Sequence, residues 1–216
     1  METSIKVNYK YTANLYKAKQ WLDELPDLIA CDFEASSKFT ELQKEAFKLQ
    51  LETEEDEETK RVLNQYIKSD GLSHPSLSTL THVSIAWSES DALVILLPSD
   101  KLKQFVVNWL VTTTRKQVWH NLSFDAKHIM YLSGKFPQNY EDTQLLAKTI
   151  VNHVEVFKAK TGLKELAGAK YGDWGISSDY FKLEDMYKEN VIKYAATDAC
   201  ATFWLWNSIQ RHLKGE

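Results

Sequence analysis

Residues 28 to 35 read Leu-Ile-Ala-Cys-Asp-Phe-Glu-Ala, an apolar run shortly after Pro26 that carries Asp32 and Glu34 two positions apart at its end. The length and flanks predict a buried strand. Along a strand, residues i and i+2 project from one face, so two carboxylates stand side by side at the edge of an apolar sheet. Like charges so placed repel and raise each other's pKa unless a cation sits between them. A divalent metal is the simplest resolution, and a solvated strand end is the bland one.

Working outward, His82 to Trp87 and Ala92 to Leu97 are two further strand-like runs separated by Ser-Glu-Ser-Asp, the pattern of a hairpin. Leu102, Phe105, Val106, Trp109 and Leu110 then recur at helical spacing over 100–111, with Ser99 or Asp100 as N-cap. Gln117 to Trp119 reads as a short central strand. Helical stretches are expected at 123–132, 143–150, 163–171 and about 185–212. Strands come first and then alternate with helices, which predicts an α/β domain with one central mixed sheet flanked by helices. No internal repeat or Pro/Gly/Ser-rich linker divides the chain, so residues 1–216 are expected to form a single domain.

Residues 38–75 interrupt this order between the first and second strands, where connections usually run to about six residues. Phe39, Leu42, Ala46 and Leu49 form one apolar stripe, and Val62, Leu63, Tyr66 and Ile67 form another. An inserted helical hairpin is expected, with an acidic turn holding Glu52, Glu54, Glu55, Asp56, Glu57 and Glu58.

Three more acids stand in contexts that bear on chemistry. Asp198 lies in a helix among Ala195, Ala196, Ala199, Cys200 and Ala201, small residues that let the helix approach the sheet; Tyr194, four residues earlier, shares its face. An acid there must be paired or bind a metal. Asp125 follows the 117–119 strand in the first turn of a helix, a position that aims a carboxylate at the carboxyl edge of a sheet. Asp142 reads as an N-cap for the helix at 143.

The composition sets bounds on these readings. With 26 Lys plus Arg against 30 Asp plus Glu, the net charge is −4, which disfavours a strong nonspecific nucleic-acid binder. Residues 40–70 hold nine acids and five bases, so the insertion accounts for the whole excess. Hydrophobic residues at 44% suffice for a packed core and exclude a disordered chain. Cys31 and Cys200 form neither a zinc spacing nor a disulfide framework. No apolar run approaches the roughly 20 residues of a membrane span, and the start Met-Glu-Thr-Ser-Ile-Lys lacks signal-peptide features. A cytoplasmic protein with no membrane partner is expected.

Order and context lift the acids above their separate bland readings. Asp-x-Glu at 32–34, Asn-x-x-x-Asp at 121–125 and Tyr-x-x-x-Asp at 194–198 together resemble the three motifs of the DEDD 3′–5′ exonuclease superfamily, whose fold is RNase H-like. The stretches Glu-Asp-Thr-Gln-Leu-Leu-Ala at 141–147, Gly-Leu-Lys-Glu-Leu-Ala at 162–167 and Tyr-Ala-Ala-Thr-Asp-Ala at 194–199 look like the proofreading domain of DNA polymerase I (family A) type enzymes. The histidine branch carries His five residues before the last Asp; that position is Lys193, and Tyr194 marks the tyrosine branch (DEDDy).

The resemblance implies an α/β RNase H-like fold and a two-metal hydrolysis of phosphodiester bonds that releases nucleoside 5′-monophosphates from a 3′ end. Asp32, Glu34, Asp125 and Asp198 would be the metal ligands, taking Mg2+ with Mn2+ as substitute. Tyr194 and Glu34 would orient the nucleophilic water; Asn121 and Ala35 would contact the terminal nucleotide. The expected substrate is a single-stranded DNA 3′ end, with the protein freestanding or a proofreading subunit of a separately encoded DNA polymerase. Two other readings stand beside it: an RNase D-like exoribonuclease acting on RNA, and a non-catalytic RNase H-like binding module. One departure concerns the usual Thr and apolar wedge after the motif glutamate. Ala35, Ser36 and Ser37 stand there instead, which leaves Phe39 or Leu72 as wedge. Phe124, His120 and His128 are read as packing or ordinary polar residues.

Overall fold

A computed structural model describes residues 4–151, 160–172, 174 and 182–215. The chain runs β1 (Asn8–Thr12), α1 (Leu15–Asp23), β2 (Leu28–Ser37), α2 (Glu41–Thr53), α3 (Glu57–Lys68), β3 (Ser78–Ala86), β4 (Asp91–Leu96), α4 (Asp100–Thr112), β5 (Lys116–Trp119), α5 (Leu122–Ser133), β6 (Tyr140–Asp142), α6 (Thr143–Val151), α7 (Leu163–Tyr171), a 3-10 turn at Leu183–Tyr187 and α8 (Glu189–Lys214). The strands form one six-stranded mixed sheet in the order β1-β4-β3-β2-β5-β6. β3 and β4 pair antiparallel as the expected hairpin, with His82 opposite Leu96, while β5 and β6 lie parallel on the far side of β2.

Alternation along β2 assigns its two faces. Ile29, Cys31 and Phe33 point into one apolar layer beneath α1, α4 and α5. Ala30, with Asp32 and Glu34 in phase with it, faces the second layer, under α7 and α8. That second face is built from small residues: Ala30, Ala86 and Ala92 on the strands meet Ala195, Ala196 and Ala199 on α8, all essentially fully buried. The match lets α8 lie close across β3, β2 and β4, and it brings position 198 down to the sheet.

Four expectations are revised. First, β2 does not end at Glu34 but continues to Ser37 along β3, with a bulge between Glu34 and Ala35. The motif acids therefore sit in mid-strand. Second, β1 and α1 add to the expected elements, and Ile5, Val7 and Tyr9 pack on the core between exposed or half-buried polar residues, a period-2 signal. Third, β6 is a three-residue strand too short to register as an apolar run. Fourth, α8 begins at Glu189; residues from Leu183 form the tighter 3-10 turn before it.

Between β2 and β3 stand two helices, α2 and α3. Their base is fixed by Gly71, at φ +76°, where a Cβ would lie 2.6 Å from the Cβ of Phe39. Phe39 in turn packs on Phe47, and Phe47 on Tyr66, with ring centroids 5.2 and 6.2 Å apart. Phe39 is thus buried under the hairpin.

Candidate active site

The site forms where β2 outruns β5. β5 pairs with β2 only as far as Ala30, so beyond that point no strand among the described residues covers this side of β2. Asp125, in the first turn of α5, fills the gap: its Oδ1 accepts the Phe33 N–H at 3.1 Å. On the α8 face, Asp32, Glu34 and Asp198 each bring a carboxylate oxygen within 4.8 Å of the others. All four acids line one cleft of about 320 Å3, together with Phe33, Ala35, Ser69, Leu72, Ser73, His120, Asn121 and Phe124.

The electrostatics of this cluster are unfavourable for anions alone. Glu34 and Asp125 are only 4% and 3% exposed. Burial first, then the surrounding carboxylates, lift Asp32 and Glu34 well above the ordinary range. Burial does the same to Asp125, against the pull of the Phe33 N–H. Asp198 is pushed up to about 6 by burial, while Lys164 and hydrogen bonds from Trp174 and Tyr194 pull it down. One oxygen, Glu34 Oε1, is buried with no hydrogen-bond partner among the described residues. Converging carboxylates with an orphaned oxygen fit a divalent cation better than any uncharged packing.

Lys164 and Trp174 escape a sequence reading. Lys164 Nζ donates to the Tyr194 hydroxyl at 2.6 Å and lies 4.4 Å above that ring; Trp174 Nε1 donates to Asp198 Oδ1 at 2.6 Å. Lys164 is thirty residues from Tyr194 and on another helix. No spacing rule links them, although the 162–167 stretch as a whole carries part of the family resemblance. Tyr194 itself is buried and hydrogen-bonds Asp198 one turn on.

The remaining predicted residues fall as follows. Ala35 lines the cleft just past the bulge. Asn121 sits at the cleft in the left-handed region, φ +60°, and its Oδ1 accepts from Ser123 Oγ. It does not cap α5 with its side chain; Asp142 does so from β6, accepting the Asn121 and Leu122 N–H groups at 3.1 and 2.9 Å. The same carboxylate accepts from Gln144 N at 2.8 Å, so the expected N-cap of α6 also fastens α5. Of the two wedge candidates, Leu72 lines the cleft and Phe39 does not. Phe124 and His120, read as packing residues, also reach the cleft. His120 Nδ1 lies 2.8 Å from Thr143 Oγ1.

Comparison with known proteins sharpens this picture. A family model described as 3′-5′ exonuclease matches residues 70–214. No curated protein sequence gives a match. Among solved structures, NrnC of Brucella melitensis with bound Mg2+ is 16% identical, with 99% of this chain and 83% of that chain covered at a TM-score of 0.57. Escherichia coli RNase D, an exoribonuclease involved in structured RNA processing, is 14% identical over 97% of this chain and 46% of its own, at a TM-score of 0.56. The Trypanosoma brucei RNase D–GMP complex is 15% identical over 93% and 56%, at 0.62. These likenesses establish a shared RNase H-like fold. The matched segment contains Asp125, Tyr194 and Asp198 but begins after Asp32 and Glu34, which the sheet brings to the same place. On the length of that match, more than half of its residues, the chain belongs to the 3′–5′ exonuclease family and with it to the DEDD exonucleases.

Proposed function

We propose that Asp32, Glu34, Asp125 and Asp198 are the metal ligands and Tyr194 a catalytic residue of a tyrosine-branch (DEDDy) exonuclease that removes nucleotides from single-stranded DNA 3′ ends. The observation that carries this reading is the cluster of buried and half-buried carboxylates, with a Glu34 oxygen unpartnered among the described residues, at the floor of an open cleft. Asp32, Glu34 and Asp198 would hold one divalent ion, and Asp32 with Asp125 a second; Mg2+, present in the NrnC structure, suits an all-oxygen donor set and Mn2+ would substitute. Bound there, such ions stabilise the charge on the attacking and leaving oxygens and lower the pKa of a water.

The protein's own groups do the positioning. The Tyr194 hydroxyl is held between Lys164 Nζ and Asp198. With Glu34 it would orient a water on the incoming phosphate. Lys164 supplies the positive charge nearest the acids, opposing the burial that would otherwise keep them protonated. Asn121, Ala35, Leu72 and Phe124 form the walls against which a terminal base and sugar would lie, and apolar walls of that kind suit the splayed bases of a single strand.

An exoribonuclease reading is supported by the RNase D likeness, and proofreading for a separate DNA polymerase would be one use of the DNA activity. Labelled single strands of DNA and RNA, offered with Mg2+ and with chelator, test the choice. Release of nucleoside 5′-monophosphates from DNA, lost on chelation, is expected. Faster loss of the RNA would shift the substrate to RNA, and intact strands of both would remove the enzymatic reading.

A further inference from the structure

The outward face of α3 adjoins the catalytic cleft. Val62, Leu63, Tyr66 and Ile67 turn inward against the rest of the molecule, so Arg61, Asn64, Gln65 and Lys68, at i, i+3, i+4 and i+7, share the opposite face. These four residues and Ser69 line an open groove of about 700 Å3, and Ser69 also lines the catalytic cleft. Through Ser69 the groove adjoins the cleft where a 3′ end would sit. Two cations and two carboxamides line it, Arg61 being paired with Glu58 beside it, and no carboxylate among the described residues belongs to the lining.

This face stands apart from the rest of the insertion. The acidic tip is at the far end of α3, where Glu58 is 2.8 Å from Arg61, while Lys68, nearest the cleft, has no ion-pair partner among the described residues. The base of the helix is tied down: Lys44 pairs with Asp70 at 2.6 Å, Ser37 Oγ donates to the Asp70 carbonyl, and Tyr66 packs edge-on to His74 at 4.9 Å. The segment matched by the family model starts at residue 70, just past α3.

We propose that this face of α3 is a track for the phosphodiester backbone of the single strand leading away from its 3′ end. The proposal rests on the exonuclease reading of the cleft. A cleft floored by four acids repels an incoming polyanion, and basic side chains at its rim offset that repulsion. Arginine and lysine take phosphate oxygens, and the amide groups of Asn64 and Gln65 donate to them without reading sequence. The rise from Arg61 to Lys68 is about 10 Å, enough for a few phosphates beyond the terminal nucleotide.

The test compares strand binding in an Asp32→Asn background, which leaves the strand intact, with and without Arg61→Ala plus Lys68→Ala. The probes are fluorescein-labelled oligothymidylate and oligouridylate of twelve nucleotides, each against its dinucleotide, read by anisotropy in Mg2+. The affinity ratio of long to short strand should fall about tenfold. The slope of log Kd against log salt should shrink by about 1.4, since each phosphate that a cation neutralises on a single strand adds roughly 0.7 to it. An unchanged ratio and slope, with the same thermal midpoint, overturns the track and leaves the face to another role such as protein docking. Cleavage by the wild-type chain is scored separately. If the two substitutions weaken long-strand binding but the wild-type chain cuts nothing, the track stands and the exonuclease reading falls.

Discussion

Acids are densest in two regions of this molecule, and the two treat them in opposite ways. Around the turn between α2 and α3, Glu55, Asp56, Glu57 and Glu58 are exposed. Asp56 accepts the Thr59 N–H at 2.7 Å, caps α3 and is held below its usual value by that bond; Glu57 and Glu58 pair with Lys60 and Arg61 one turn on. At β2, Asp32 and Glu34 have less relief. Burial and neighbouring carboxylates push both upward and outweigh the opposing charge of Lys164, which bonds to Tyr194. The hairpin acids are solvated and satisfied, whereas the sheet acids are frustrated. Frustration of that kind, rather than acid count, marks a site prepared for a charge the protein does not itself supply.

Breaking the comparison at its strongest point gives the largest effect. Asp32→Asn should lower cleavage of labelled single strands by about 10^3-fold, the loss of several kcal/mol of charge stabilisation. The same change removes one member of a repelling cluster, so the metal-free protein at pH 8 should melt higher by about 2 to 4 °C, corresponding to about 1 kcal/mol. Retained cleavage, or a lower melting point, would mean the cluster is not what it looks like.

A smaller effect sharpens the same contrast through pH. A carboxylate lifted by folding holds its proton more tightly in the folded state. Metal-free stability from this source is therefore present at low pH and is lost as pH rises from about 4, the unfolded value, through the folded value, about 6 for Asp198. Buried His82, held down near 4, acts the other way and costs stability as pH falls from 6.5 toward 4. Its ring sits between Thr81 Oγ1 and the Met186 carbonyl, on the residue that pairs with Glu34 across β2 and β3; in the difference between melting curves with and without Mg2+, the part of its contribution that does not depend on Mg2+ cancels. Because ligation needs the ionised carboxylates, the rise in melting temperature caused by Mg2+ should grow between pH 5 and pH 8, by about 3 °C or more. A rise that is flat or shrinks with pH would contradict the assignment. The smallest effect belongs to the hairpin. Glu55→Gln with Glu57→Gln should leave cleavage within about twofold and the melting point within about 1 °C, since exposed pairs contribute little; a large loss there would erase the distinction between the two regions.

Much of the site is legible in the sequence because its signals are local. Asp-x-Glu in a strand and Tyr-x-x-x-Asp in a helix are face-sharing patterns whose geometry follows from periods of 2 and 3.6, and small residues around position 198 announce a close helix. Lys164 and Trp174 are not legible. They reach the cluster across thirty and twenty-four residues of sequence, by packing of α7 and Trp174 against α8. Ile5, Val7 and Tyr9 carry a readable alternation, so the unexpected first strand reflects a weak signal rather than none. Asp142 reads as a cap for one helix, and only the parallel pairing of β6 on β5 shows that it also caps a second.

By itself, then, the sequence determined most of the element types, the alternating α/β order, the two helices between β2 and β3 and the positions of the four acids that line the cleft. Backbone periodicity and local hydrogen-bonding chemistry act within a few residues, and a chain of letters records them. Only the tertiary structure decided that β5 stops short at Ala30 and leaves room for Asp125 against Phe33, and that Leu72 rather than Phe39 faces the cleft. It also decided that Ser69 lines both the cleft and the groove along α3. Those facts depend on where separate elements end relative to one another, which is set by packing of the whole core.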